Sequence, residues 1–200
     1  RVSGRRIGGV RRARDQEHDA GGGVHTTYMW HMDQPIYWPD RRAMTDRYEY
    51  ARESIDQRNS GQTHPENNLD EIFGWGDRVA AYQYGVKNSI GGMSGNEHGA
   101  QASFPGNLIE NIQSLGEAGY LGYGSGWRAN GEAASWLING DARTPRLDIV
   151  TMGFHHPMSP LLPDELVEME IRTGMQRQVD AYSSVNGGRG PSKGFWPSEG

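Results

Sequence analysis

The chain has 200 residues, of which 34% are hydrophobic and 10% are aromatic, and it has no cysteine. A net charge of -5 argues against a nucleic-acid-binding domain, and no run approaches the about 20 apolar residues of a membrane span. The aromatic content argues against disorder, whereas 29 glycines predict long loops. The absence of cysteine excludes disulfides and thiol chemistry but leaves the cellular compartment open.

The first 23 residues form a basic and glycine-rich segment that ends in three consecutive glycines. Such a segment is more typical of a solvated chain end than of an arm that binds nucleic acid. We expect the folded part to span residues 24–200 as one unit. The basic side chains of the segment are Arg1, Arg5, Arg6, Arg11, Arg12 and Arg14.

The first half of this unit alternates strand and helix patterns. Residues 24–31 are rich in β-branched and aromatic side chains, which predicts a strand. Helices are predicted over residues 46–57 and 69–90, the second with a break at its glycines. A short strand at 101–104 and a helix at 107–115 follow.

The second half begins with a loop over residues 116–131, which contains six glycines. The apolar run at 147–154 predicts a strand, and Pro163 opens a helix whose first turn is acidic. A last short strand is predicted at 193–196. The helix should pack through side chains that recur every four residues, namely Val167, Ile171, Met175 and Val179.

Alternating strands and helices predict an α/β fold with parallel strands, in which active sites lie at the carboxyl ends of the strands. Ionisable side chains follow three predicted strands, at His31 and Asp33, at His156 and at Glu199. Four strands are too few to close a barrel. We therefore expect the N-terminal part of an incomplete barrel, with long glycine- and aromatic-rich loops and a C-terminal remainder that completes it.

Four segments together resemble glycoside hydrolase family 57. His-Met-Asp-Gln-Pro at residues 31–35 resembles its first motif, His-x-His-Gln-Pro, with Asp33 in place of the second histidine. Ser-Phe-Pro-Gly-Asn-Leu-Ile-Glu at 103–110 is similar to its second-strand segment. His-Pro-Met-Ser-Pro-Leu-Leu at 156–162 is similar to its segment with a histidine before Pro-Leu-Leu. Gly-Phe-Trp-Pro-Ser-Glu at 194–199 is similar to its third motif, Gly-x-Trp-x-x-Glu.

This resemblance, which runs from about residue 24 to the end, implies a retaining glycoside hydrolase or transglycosylase on an incomplete (β/α)7 barrel. The substrate would be a polysaccharide or oligosaccharide of the α-glucan type, and no cofactor or metal is implied. Glu199 would be the catalytic nucleophile. Retention also needs a second carboxyl group about 5–5.5 Å away as the acid/base. In the family this group is an aspartate of a later motif, which we expect beyond this chain.

The polar candidates for substrate binding are His31, Asp33, Gln34 and His156. The first three follow one strand, which favours a cluster that binds sugar hydroxyls over a hydrogen-bonded core histidine. His155 and His156 should point to opposite sides of their strand, so only one of them can enter the site. The motif favours His156 and leaves His155 a structural role.

The aromatic candidates for substrate binding are Trp196 and Trp38. An indole offers a flat apolar face to a sugar ring, and Trp196 lies three residues before Glu199. For Trp38, core packing is an equally good interpretation. A groove in the long loops is a further interpretation of other aromatic residues, namely Trp75, Tyr120, Tyr123, Trp127 and Trp136.

Two other function classes remain open at this point. His31, Asp33 and His156 would suit the ligand set of a metal-dependent polysaccharide deacetylase, although no His-x-x-x-His pair is present. A glycan-binding module that keeps the aromatic platform without catalysis is the other alternative. Bound metal favours the first of these, and glycan affinity without hydrolysis favours the second.

Overall fold

The computed structural model describes residues 27–37, 48–62, 68–182, 188 and 190–198. Their fold is mixed α/β, with a three-stranded sheet and six α-helices in this part of the chain. The strands are β1 (Met29–His31), β2 (Ala100–Ser103) and β3 (Leu147–Val150). Both strand pairs are parallel and the order in the sheet follows the sequence, which confirms the predicted α/β class and parallel pairing.

The helices before β2 are α1 (Ala51–Asn59), α2 (Leu69–Gly74), α3 (Gly76–Ala80) and α4 (Val86–Gly92). The predicted break between residues 69 and 90 is confirmed, because Trp75 is extended between α2 and α3. A π-helical segment, Ala81–Gly85, joins α3 to α4, and this segment was not expected from the sequence.

Two longer helices follow β2 and β3. These are α5 (Gly106–Ala118), which ends at Gly119 in the left-handed conformation that favours glycine, and α6 (Asp164–Ala181). Three 3₁₀ segments lie between or beside them, at Ala129–Ser135, Ile138–Gly140 and Ser159–Leu161.

The end of the described chain forms a single bridge rather than the predicted strand at 193–196. Phe195 pairs in parallel with Thr151, and the backbone N–H of Trp196 donates to the Thr151 carbonyl over 2.8 Å. The predicted strand at 147–154 is likewise shorter, since β3 ends at Val150 and the chain turns at residues 154–155.

The main core lies between the helices and one face of the sheet. Alternate residues of β2 and β3 point into it, namely Ala100, Ala102, Leu147 and Ile149. The apolar side of α5 covers them with Leu108, Ile109, Ile112 and Leu115, all fully buried. The alternation of two along a strand and the apolar stripe of a helix explain why these residues meet.

Helix α6 packs through a different face from the one that the sequence predicts. Its buried residues are Glu170, Gly174, Gln178 and Ala181, whereas Val179 is 36% exposed. A Cβ at Gly174 would come within 2.5 Å of the Met152 carbonyl oxygen, so only glycine allows this close approach. The fully buried Gln178 amide donates to the carbonyls of Phe104, just after β2, and Val150, the last residue of β3. Backbone groups there need polar partners, which an apolar stripe cannot supply.

The loop aromatic residues are divided between core and surface. Tyr123 and Trp127 are each 3% exposed and belong to the core, so they line no groove, while Trp75 is 63% exposed. Among the described residues, no helix combines the length and apolar character that a bilayer span requires.

Candidate functional site

The candidate site begins at the carboxyl ends of β1 and β2. His31 is the last residue of β1 and pairs in register with Ser103, the last residue of β2. The His31 Nδ1 atom lies 2.8 Å from the Ser103 hydroxyl oxygen, and Ser103 is fully buried. This bond ties one side of the His31 ring to β2.

The second part of the site is the turn that follows β3. His156 adopts a left-handed backbone with φ at 55°, which is uncommon for a residue with a Cβ. Its Nε2 atom lies 2.9 Å from the Nε2 atom of His31, although the two residues are 125 positions apart. Such strained conformations persist where the surrounding structure holds them, and they cluster at functional sites.

The contact between the two imidazoles gives them different hydrogen-bonding roles. A hydrogen bond between two Nε2 atoms requires one of them to donate and the other to accept. His31 is exposed and His156 is half-buried, so a ligand can reach both rings from solvent.

The neighbouring His155 has a different partner, the buried Glu170 of α6. Its backbone N–H donates to one carboxylate oxygen over 2.8 Å, and its Nδ1 atom lies 2.6 Å from the other. Burial opposes ionisation of Glu170, but the bonds from His155 outweigh it and hold the pKa of this carboxyl below its ordinary value. Glu170 thus anchors the turn that carries His156.

The loop after β1 carries Asp33 and Gln34. The Gln34 amide is engaged inside the protein, because its nitrogen donates to the Tyr82 hydroxyl over 2.9 Å and its oxygen accepts from the Tyr37 hydroxyl over 2.6 Å. The half-buried Asp33 accepts a bond from Tyr82 at its backbone carbonyl. Gln34 therefore holds this loop in place rather than presenting both ends of its amide to a ligand.

The proposed metal ligands do not assemble. Within the part of the chain that the structure describes, no group of three or more histidine, cysteine, aspartate or glutamate side chains could hold a metal ion. Asp33 therefore does not join His31 and His156 in a ligand set.

The third motif is only partly described. Trp196 is 42% exposed beside the bridge to Thr151, and Ser198 is buried. Glu199 and Trp38 lie outside the described residues, as does the basic segment 1–23. Of the predicted site residues, the structure brings His31 and His156 into contact. Trp196 is accessible in the segment that bridges to Thr151, just after β3.

Ser103, Tyr82 and Glu170 are among the residues that the sequence does not single out, and they bond to His31, Gln34 and His155 respectively. Ser103 could have been found by the rule that identified His31, since it is a polar residue at the end of a buried strand. Tyr82 and Glu170 give no such signal, because they lie in the middle of helical segments. Their roles depend on contacts with Gln34 and His155 that only the folded chain brings about.

The sequence matches no model of a known protein family and no curated protein.

Proposed function

We propose that this chain carries part of the active site of a retaining glycoside hydrolase or transglycosylase that acts on α-glucan-type polysaccharides. In this proposal Glu199 is the nucleophile, His31 and His156 bind sugar hydroxyls, and Trp196 stacks on a sugar ring. Asp33 contributes a charge at the edge of the same site. The fold that carries these residues is the N-terminal part of a (β/α) barrel.

The observation that carries the proposal is the contact between His31 and His156. These residues belong to two separate motif segments, yet their Nε2 atoms are 2.9 Å apart beyond the carboxyl ends of parallel strands. This is the edge at which α/β folds bind their substrates. An imidazole nitrogen can donate or accept a hydrogen bond, so two adjacent rings suit the binding of neighbouring sugar hydroxyl groups.

The strand order supports a barrel over a doubly wound sheet. Parallel crossovers are right-handed, so strands that are added in one direction place their helices on the same face of the sheet. The opposite face carries the half-buried polar residues Gln101 and Asp148 and borders a cavity of about 680 Å³. In a closed barrel this face would be the interior, and further parallel strands would cover it.

The proposed reaction proceeds in two displacements. The Glu199 carboxylate bonds to the anomeric carbon while the glycosidic C–O bond breaks, and a second carboxylic acid protonates the departing oxygen. In the second step, the same carboxyl group, now a carboxylate, takes a proton from water or from the hydroxyl of an acceptor sugar. The oxygen of that water or hydroxyl then displaces Glu199 from the anomeric carbon. The product keeps the configuration of the substrate. Hydroxyl contacts from His31 and His156 would hold the ring during both steps.

The test is hydrolysis of α-glucan oligosaccharides by the full-length protein, with the product anomer followed by proton NMR at early times. We expect the α-anomer first, and we expect Glu199→Gln to abolish turnover. A 5-fluoroglycosyl fluoride should label the peptide that contains Glu199, which mass spectrometry would detect. Glu165→Gln is the control, because it removes an exposed carboxylate from the first turn of α6.

Three results would contradict the proposal. A β-anomer as the first product would indicate inversion. Acetate release from an acetylated glycan without chain cleavage would indicate a deacetylase. Glycan binding that persists in Glu199→Gln, with no cleavage by the unmodified protein, would indicate a binding module.

A further inference from the structure

The helical stretch between α3 and α4 contains a π turn, Ala81–Gly85, which inserts extra backbone into the helix. Such turns break the regular hydrogen-bond ladder and are frequent at functional sites. The backbone groups that lose their partners must be satisfied in another way when they are buried. The side chain that satisfies them here comes from a distant part of the chain.

That side chain is Asn130, which is fully buried in the 3₁₀ segment Ala129–Ser135. Its amide nitrogen donates to the carbonyls of Ala81 and Tyr82, over 2.7 Å and 3.1 Å. Its amide oxygen accepts from the backbone N–H of Lys87 over 3.1 Å. One side chain therefore bonds the first two carbonyls of the π turn and a backbone N–H two residues after it, and so holds its geometry.

Tyr82 belongs to this π turn, and its ring reaches the loop after β1. Tyr82 is 5% exposed, and its hydroxyl accepts from the Gln34 amide and donates to the Asp33 carbonyl. Burial raises the pKa of the Tyr82 hydroxyl, so this group remains protonated and able to donate. The bonds to Tyr82 and Tyr37 together fix which end of the Gln34 amide faces each tyrosine.

A second anchor holds the same loop from the next βα unit. The side-chain amide of Asn107, in the first turn of α5, donates to the Gln34 carbonyl over 3.0 Å. The loop is thus fixed at its backbone by Asn107 and at its side chain by Tyr82. Because Gln34 follows His31 by three residues, the position of this loop governs where the His31 ring can lie.

We propose that Asn130 and Tyr82 are positioning residues, which act through the π turn and Gln34 to place Asp33 and His31 in the site. This role rests on the proposed glycosidase function for its catalytic consequence. The bonds on which it depends exist independently of that function. Its test therefore includes a structural measurement that does not require turnover.

The test compares Tyr82→Phe with the matched variant Tyr123→Phe. Both changes remove one hydroxyl from a tyrosine of similar burial, at 5% and 3% exposure, but the Tyr123 hydroxyl donates to the Phe73 carbonyl rather than to the loop after β1. We expect Tyr82→Phe to shift the NMR signals of the Gln34 amide and the His31 ring, and to lower kcat/KM on α-glucans about tenfold. Tyr123→Phe should leave both signals and kcat/KM unchanged.

Asn130→Ala is the second variant of this test. It should raise hydrogen exchange at residues 81–87 and shift the Gln34 and His31 signals in the same direction as Tyr82→Phe. Unchanged Gln34 and His31 signals in Tyr82→Phe, or equal shifts in Tyr123→Phe, would overturn the positioning role. If the NMR shifts occur and no glycosidase activity is found in the unmodified protein, the proposed function fails and the positioning role stands.

Discussion

The two faces of the three-stranded sheet differ in composition and in what their residues do. On one face, Ala102 and Ile149 are fully buried against α5 and the other helices. On the other face, Gln101 and Asp148 are half-buried, and His31 is exposed at the end of its strand. The first face packs into the core, and the second bears the polar residues beside the proposed site. Substitutions on the two faces should therefore affect different measurements.

Ile112→Ala, in the core that covers the apolar face, should give the largest loss of stability. The side chain is fully buried on α5 in the main core. Removing it leaves a cavity, which we expect to lower the free energy of unfolding by about 2–5 kcal/mol. Urea denaturation followed by circular dichroism measures this change. A loss below about 1 kcal/mol would mean that this face is not tightly packed.

Glu170→Gln should have an intermediate effect that depends on pH. The bonds between Glu170 and His155 anchor the His156 turn, and their loss should cost about 1–3 kcal/mol at neutral pH. Because the pKa of Glu170 is lowered in the folded state, its contribution is complete above the ordinary glutamate pKa and is lost as the pH falls through the folded value.

Urea denaturation of Glu170→Gln and the unmodified protein at a series of pH values tests this dependence. The difference in stability between the two should shrink as the pH falls below the ordinary glutamate pKa, and it should vanish once the pH is below the lowered pKa of the folded state. A difference that stays constant down to pH 3 would contradict the role of the ionised carboxylate.

Ser103→Ala should change stability less but should alter the site directly. The hydroxyl that bonds the His31 Nδ1 atom is lost, which we expect to cost about 0.5–1.5 kcal/mol. Nitrogen-15 NMR should show a shift at both His31 nitrogens and at His156. The signals of His98, which lies in a separate loop, serve as the control and should not move. Equal shifts at all three histidines would indicate a general structural change instead.

Arg172→Ala should have the smallest effect. Arg172 forms an ion pair with Glu168, which lies one turn earlier on the exposed side of α6. Exposed pairs of this kind contribute about 0.3–0.5 kcal/mol, so thermal unfolding should change little and the site signals not at all. A loss as large as that of Glu170→Gln would indicate that this side of α6 is covered in solution.

Local patterns in the sequence predicted much of the fold and part of the candidate site. The strands at β2 and β3 and the helices α5 and α6 were found because alternation, proline and glycine act over a few residues. The same reasoning placed His31 and His156 after strands. It failed for the packing face of α6, where the close approach at Gly174 and the bonds of Gln178 outweigh the apolar stripe.

The sequence by itself determined the class of fold, the order of its elements and the residue types available for chemistry. Only the tertiary structure decided which of those residues meet: His31 with His156, His155 with Glu170, and Gln34 with Tyr82. The π turn that Asn130 holds belongs to the same category. Periodicity and capping are short-range properties of a chain, whereas hydrogen bonds between residues up to 125 positions apart depend on how the strands and helices pack.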